Sequence, residues 1–266
     1  MAVLNFDYFS VARKGFVSCS VLLPVDRPPQ NMEPVKYDSG PFPTIYLLHG
    51  FSGNRNSWLY NTQVMEWAVN NSYAVVMPDG ANSFYLDNED TGEFYGRFIG
   101  EELVDVTRKL FPLSDQRAET FIAGISMGGF GAIRNGLKYA DTFGAIISHS
   151  AALITDEVAT MKPGKGNAVA PYGYYRNTFG DMSHLLGSDK DPKYLAKVCL
   201  SQGTAIPRFF MACGSEDFVY QQNHDFHEYL QSIDFPHVWW VKPGAHDFNF
   251  WNKSMQESMK WLTNLK

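Results

Sequence analysis

Short apolar runs alternate with longer stretches whose apolar positions recur at helical spacing. The runs at 44–48, 73–77, 121–125, 143–148, 208–213 and 238–241 are four to six residues long and lack a polar alternate face. That pattern predicts strands buried on both sides. Helices are predicted over 58–70, with Leu59, Val64, Trp67 and Ala68 inward, and over 96–110, with Phe98, Leu103, Val106, Thr107 and Leu110 inward. Further helices are expected at 127–139, 220–232 and 248–264. Residues 3–10 and 15–24 read as an antiparallel ribbon turning at Arg13-Lys14-Gly15, and 25–43, rich in Pro, Asp and Asn, reads as a loop. Strand and helix in alternation imply an α/β protein with a mostly parallel sheet covered on both faces. Only 151–205 breaks the rhythm, with Pro163-Gly164, Pro171-Tyr172-Gly173-Tyr174-Tyr175 and Gly187-Ser188-Asp189-Lys190-Asp191-Pro192. The expectation is one domain over 1–266, with 151–205 a cap-like insertion over the sheet's carboxyl edge, where open α/β sheets bind ligands.

Composition narrows the function. With 266 residues, 45% hydrophobic and 19% charged, the chain can bury a large core and is not a disordered segment. A net charge of −6 argues against a nucleic-acid partner held by phosphate neutralisation. Three scattered cysteines (Cys19, Cys199, Cys213) do not make a disulfide scaffold. No apolar run reaches the ~18 residues of a membrane span. The opening Met1-Ala2-Val3-Leu4-Asn5-Phe6-Asp7 shows no basic stretch followed by an apolar one, so a cytoplasmic location without a membrane partner is expected.

The candidate chemistry lies in Gly124-Ile125-Ser126-Met127-Gly128-Gly129. This Gly-x-Ser-x-Gly frame follows a predicted strand and opens a predicted helix, the context of a nucleophile elbow. The turn forces the serine into a strained conformation, so its neighbours two before and two after must lack bulk. The helix start then offers N–H groups to a developing oxyanion. Three fixed positions at roughly 7% each recur by chance about once in ten chains of this size, so the frame needs support from elsewhere. A serine nucleophile needs a base and an orienting carboxylate, which in this architecture follow it in the order Ser, acid, His. His246 sits in Lys242-Pro243-Gly244-Ala245-His246-Asp247 after the last strand, and Asp217 in Cys213-Gly214-Ser215-Glu216-Asp217 after the preceding one. Glu216 competes for the acid role, and a helix cap is the plain alternative for Asp217. His184, His224, His227 and His237 fall on helices, the insertion or the wrong strand end. His49-Gly50-Phe51-Ser52 closes the first buried strand; Phe51 and Met127 are assigned the oxyanion N–H groups, with Gly50 and Ser52 as alternatives to Phe51, and His49 a structural role. Aromatic residues near the active edge, with Trp58, Tyr172 and Tyr175 foremost beside Phe84, Tyr85 and Tyr174, are candidates for the substrate-binding wall or for core.

The chain resembles α/β-hydrolases of the esterase D and S-formylglutathione hydrolase superfamily, and within it the bacterial tributyrin esterases. The resemblance is carried by the opening Met1–Ser10, by Leu47-Leu48-His49-Gly50-Phe51-Ser52-Gly53-Asn54, and by Met77-Pro78-Asp79 and Ser83-Phe84-Tyr85. Gly124–Gly129, Gly187–Pro192 and Gly244-Ala245-His246-Asp247 extend it over nearly the whole chain. It implies a serine carboxylesterase acting on short acyl esters through an acyl-enzyme, without metal or cofactor, with Ser126, Asp217 and His246 as triad. Feruloyl and cinnamoyl esterases share the pattern, so an aromatic acyl group is the alternative. S-formylglutathione hydrolases carry a cysteine in the turn that here reads Phe51-Ser52-Gly53-Asn54. Two rival functions remain: an acyltransferase on the same triad, and a binding module on a hydrolase scaffold. Self-association into a homo-oligomer is expected from the exposed sheet edge and the family likeness.

Overall fold

The computed structural model describes residues 1–26, 37–201, 203 and 205–264; part of the loop expected at 25–43 therefore lies outside the described residues. The chain opens with β1 (Ala2–Ser10) and β2 (Gly15–Leu23), paired antiparallel from Ala2↔Leu23 to Ser10↔Gly15. β3 (Thr44–Leu48) leads through α1 (Ser57–Asn61) and α2 (Val64–Asn71) to β4 (Ala74–Pro78). A small hairpin, β5 (Asp87–Asn88) and β6 (Glu93–Phe94), precedes α3 (Tyr95–Arg97), a π turn at Phe98–Glu102 and α4 (Leu103–Leu110). Then follow β7 (Thr120–Ile125), α5 (Met127–Lys138) and β8 (Ala145–His149). After the 151–205 segment, with α6 (Thr155–Ala159), α7 (Tyr172–Phe179) and α8 (Pro192–Ser201), come β9 (Arg208–Gly214), α9 (Tyr220–Ser232), β10 (Val238–Lys242) and α10 (Phe248–Thr263).

Eight strands form one sheet in the order β1-β2-β4-β3-β7-β8-β9-β10. Only the β1–β2 and β2–β4 pairings are antiparallel. Successive residues of each inner strand feed opposite cores. Tyr46, Leu48, Val76, Ile122 and Ile146 meet α4, α5, α8 and α9 on one face. Ile45, Leu47, Val75, Ala123 and Ile147 meet α1, α2 and α10 on the other. Both faces are thus covered, which explains the unbroken apolar runs. The chain moves from β3 to β4 on one side and then crosses back to β7 on the other, with Leu48 opposite Gly124. The crevice at that reversal opens beyond the strands' carboxyl ends, where the loops after β3, β7, β9 and β10 converge.

Three expectations are corrected in detail. The single helix at 58–70 is two helices, because the Thr62 hydroxyl donates to the Trp58 carbonyl (2.6 Å) and accepts from the Val64 N–H (3.2 Å), ending one helix and starting the next. In the 96–110 segment the π turn advances the helix phase. Val104 is consequently buried, while Leu110 is 56% exposed at the helix end. Finally, the insertion holds a regular helix: Asp191 caps α8 by accepting from the Lys193 N–H (2.9 Å), Pro192 opens it, and Leu195, Ala196 and Cys199 pack it against α5.

Candidate active site

Ser126 sits between β7 and α5 with φ 55° and ψ −119°, a left-handed conformation that a side chain adopts only under constraint. The surroundings hold it. The Ser126 N–H donates to the His149 carbonyl (3.0 Å), and the Ser126 carbonyl accepts from the Phe130 and Ala152 N–H groups (both 3.0 Å). The flanking glycines are required by space. A Cβ on Gly128 would strike the Leu48 and His49 carbonyls, and one on Gly124 would strike the Gly128 backbone. The turn therefore clamps α5 onto the ends of β3 and β7 and leaves the Ser126 hydroxyl at the crevice.

The three residues expected from separate strand ends meet there. His246 Nε2 lies 2.9 Å from Ser126 Oγ, and His246 Nδ1 lies 2.8 and 2.9 Å from the two carboxylate oxygens of Asp217. A nitrogen facing a carboxylate carries the proton, which leaves Nε2 to accept from the serine hydroxyl. Asp217 is buried, and its Oδ1 also accepts from the Val219 N–H (3.0 Å), so the acid doubles as a turn cap. Glu216, its competitor, is exposed. The His246 ring is held between Phe218 and Trp251, at centroid distances of 4.3 and 5.0 Å. Trp251 is itself fixed by its indole N–H, which donates to Ser150 Oγ (3.1 Å).

Phe51 and Met127 both border the crevice. Met127 is the first residue of α5, so its N–H has no carbonyl within the helix to meet. The Ser52 N–H, by contrast, is committed to Asn82 Oδ1 (2.8 Å), which removes Ser52 as an oxyanion donor. His49 is buried and structural in its contacts: Nε2 accepts from the Gly80 N–H (2.9 Å), and Nδ1 donates to the Gly50 carbonyl (2.8 Å). His184, His224, His227 and His237 stand apart from Ser126, none of them lining the crevice. His227 and His237 hydrogen-bond to each other (2.7 Å), His224 lies beside Glu228 (3.8 Å), and exposed His184 lies beside Asp181. The three cysteines are buried, and burial pushes the Cys213 thiol up to about 12.

Above Ser126 opens a cavity of about 590 Å³, within the usual range for a small-molecule site. Tyr175 lines it as expected, held by its hydroxyl donating to Asn167 Oδ1 (2.9 Å). Trp58 and Tyr172 do not. Trp58 turns inward, 1% exposed, and its indole N–H donates to the Leu48 carbonyl (3.1 Å), bracing the end of β3 from beneath. Its neighbour Ser57 takes the position on the cavity wall. Tyr172 packs half-buried against the core instead. Sequence reasoning missed Phe218, Phe248 and Trp251, whose adjacency to Asp217 and His246 was the available signal. It also missed Ile154 and Val169, which nothing local marks.

The doubly covered sheet, the strained serine on its turn and the hydrogen-bonded histidine define a class: α/β-hydrolases with the apparatus of a serine hydrolase. The chain belongs to the esterase family, whose model, described as "Putative esterase", matches residues 20–262. An acetyl esterase of Caldicellulosiruptor saccharolyticus is 40% identical over 265 residues, covering 100% of this chain and 99% of that one. Among solved structures, the fluorophosphonate-binding serine hydrolase F of Staphylococcus aureus, with substrate bound, superposes with a TM-score of 0.84 at 28% identity. An S-formylglutathione hydrolase from the same organism gives 0.82 at 28% identity; each covers 98% of both chains. This protein is a carboxylesterase.

Proposed function

We propose that the protein hydrolyses short-chain acyl esters through an acyl-enzyme formed on Ser126. The observation that carries this is the continuous hydrogen-bonded relay from Asp217 through His246 to the Ser126 hydroxyl, at the floor of a cavity of about 590 Å³. As the serine oxygen attacks the ester carbonyl, His246 takes its proton and Asp217 keeps the ring in the productive tautomer. The N–H groups of Phe51 and Met127 stabilise the oxyanion. His246 then returns the proton to the departing alcohol, and a water, activated in the same way, releases the acid. The acetyl esterase relative supports a short acyl group. The 151–205 segment acts as a cap, since Ile154, Val169 and Tyr175 supply part of the cavity wall.

Initial rates on p-nitrophenyl esters from acetate to decanoate, and on methyl ferulate, test the reading. Turnover peaking at two to four carbons and falling about 10⁴–10⁶-fold in Ser126→Ala is the expected result. A maximum on methyl ferulate would shift the acyl assignment to aromatic acids. Full activity in Ser126→Ala would remove the serine from the mechanism.

A further inference from the structure

Ser150, the residue after β8, is fully buried at φ 48°, in the left-handed region that a side chain enters only under constraint. Partners on three sides hold it there. The peptide joining His149 to Ser150 accepts from the Ser126 N–H through its carbonyl (3.0 Å) and donates to the Ala212 carbonyl of β9 through its N–H (2.7 Å). The Ser150 hydroxyl accepts from the Trp251 indole N–H (3.1 Å). Ser150 and the peptide before it thus touch the turn that bears the nucleophile, the strand that leads to Asp217 and the helix that follows His246. The proton transfers of the reaction give Ser150 no task. Backbone strain of this kind clusters at active sites, where the geometry it imposes is part of the mechanism.

What that geometry imposes is the tilt of the imidazole. Asp217 pins His246 at Nδ1 alone, with both carboxylate oxygens on that one nitrogen (2.8 and 2.9 Å). A ring held at one corner can still tilt and carry Nε2 off the Ser126 oxygen. Its two aromatic neighbours differ in their capacity to prevent this. Phe218, at 4.3 Å, is 70% exposed, so its outer side is open to solvent. Trp251 meets the imidazole near-perpendicularly (5.0 Å, 83°), is 6% exposed and packs against Phe248 at 4.8 Å. Trp251 is therefore the fixed wall, and the Ser150 hydroxyl is the acceptor that fixes the rotation of its indole.

We infer that Ser150 is a positioning residue for the hydrolysis: through the Trp251 indole, its hydroxyl holds the His246 ring in line between Asp217 and Ser126. The inference rests on the proposed serine mechanism and adds a part to it. The path is short, one hydrogen bond followed by one ring contact. Both half-reactions use the same imidazole, first to take the serine proton and then to activate water. A ring that tilts therefore slows acylation and deacylation together. Ester binding is set by the cavity walls, to which Ser150 does not belong, so it is left as it was.

Ser150→Gly isolates the hydroxyl, because glycine keeps the backbone bonds and adopts φ 48° without strain. With p-nitrophenyl acetate, kcat should fall about 10- to 100-fold while KM stays within about twofold. The His246 Nδ1 proton, read as a low-field NMR resonance that His246→Ala lacks, should broaden in Ser150→Gly as the ring loosens and the proton exchanges with water. Trp251→Phe keeps a ring but no N–H. It should lower kcat to a similar degree and broaden the same resonance, and adding Ser150→Gly to it should cost no more than about twofold further. Unchanged kcat in Ser150→Gly would overturn the inference. So would a loss of kcat with the low-field resonance intact, or losses that multiply in the double variant, because Ser150 would then not act through Trp251 on His246. Hydrolysis of p-nitrophenyl acetate that survives Ser126→Ala would instead overturn the serine mechanism, and no outcome at Ser150 produces that result.

Discussion

At the scale of single residues, the site is assembled from groups held where they are least comfortable. Ser126, at φ 55°, pays in backbone strain for its exposed hydroxyl. Ser126→Gly should therefore raise the unfolding free energy by about 1 kcal/mol in urea titrations while abolishing ester hydrolysis. His149, directly beneath the elbow, is fully buried, and neither ring nitrogen has a hydrogen-bond partner among the described residues. Desolvation lowers its pKa to about 3. The unfolded chain, with an ordinary histidine near 6.5, binds the proton more readily than the folded one between those values. Stability is thus unaffected by His149 above pH 6.5 and falls as the pH drops toward 3, by up to about 1.4 kcal/mol per pH unit. Denaturation at pH 7 and pH 5 should show His149→Phe losing less stability than the unaltered protein, by roughly 2 kcal/mol; equal losses would mean that the acid sensitivity arises elsewhere.

At the scale of elements, the catalytic geometry depends on how closely α5 can approach β3. Gly128 permits that contact, since a Cβ there would meet two carbonyls at the end of β3. Gly128→Ala is expected to push α5 away, lowering stability by about 1–3 kcal/mol and shifting the Ser126 turn relative to the end of β3. Because a displacement of about 1 Å can cost 10²-fold in rate, turnover should fall by that order while the cavity persists. A loss in KM alone, with kcat kept, would argue against a shared frame. The same frame explains why the sequence reads clearly here. The strand run 121–125, the glycine spacing and the helix start are all local, and each imposes its own requirement on neighbouring residues. Thr62 and the π turn at Phe98–Glu102 are illegible for the complementary reason: a hydroxyl ends a helix without disturbing its apolar periodicity, and one extra residue in a turn shifts the phase against which that periodicity is read.

At the scale of the whole molecule, the 151–205 segment is tied to the sheet by one buried charge. Arg134 of α5 is fully buried; its guanidinium donates to the Asp189 carbonyl (2.9 Å) and carboxylate (2.7 Å), and Asp87 lies 3.7 Å away. Arg134→Ala removes the buried hydrogen bonds to Asp189 and leaves Asp189 and Asp87 with Lys138 as their nearby cation, at a cost of about 1–3 kcal/mol. Limited proteolysis should then cut within 160–190 before the rest of the chain unfolds, and KM should rise as Val169 and Tyr175 lose their placement. Intact resistance to protease would show that α8 alone anchors the segment. Sequence by itself determined the doubly covered parallel sheet and the order Ser126, Asp217, His246 at strand ends, because burial on two faces and the elbow's steric demand are written in neighbouring residue types. Only the tertiary structure decided that Trp58 braces β3 rather than lining the cavity, and that Tyr175 and not Tyr172 faces it. Those outcomes depend on side-chain direction and on partners distant in the chain, such as Leu48 for Trp58 and Asn167 for Tyr175, which periodicity does not encode.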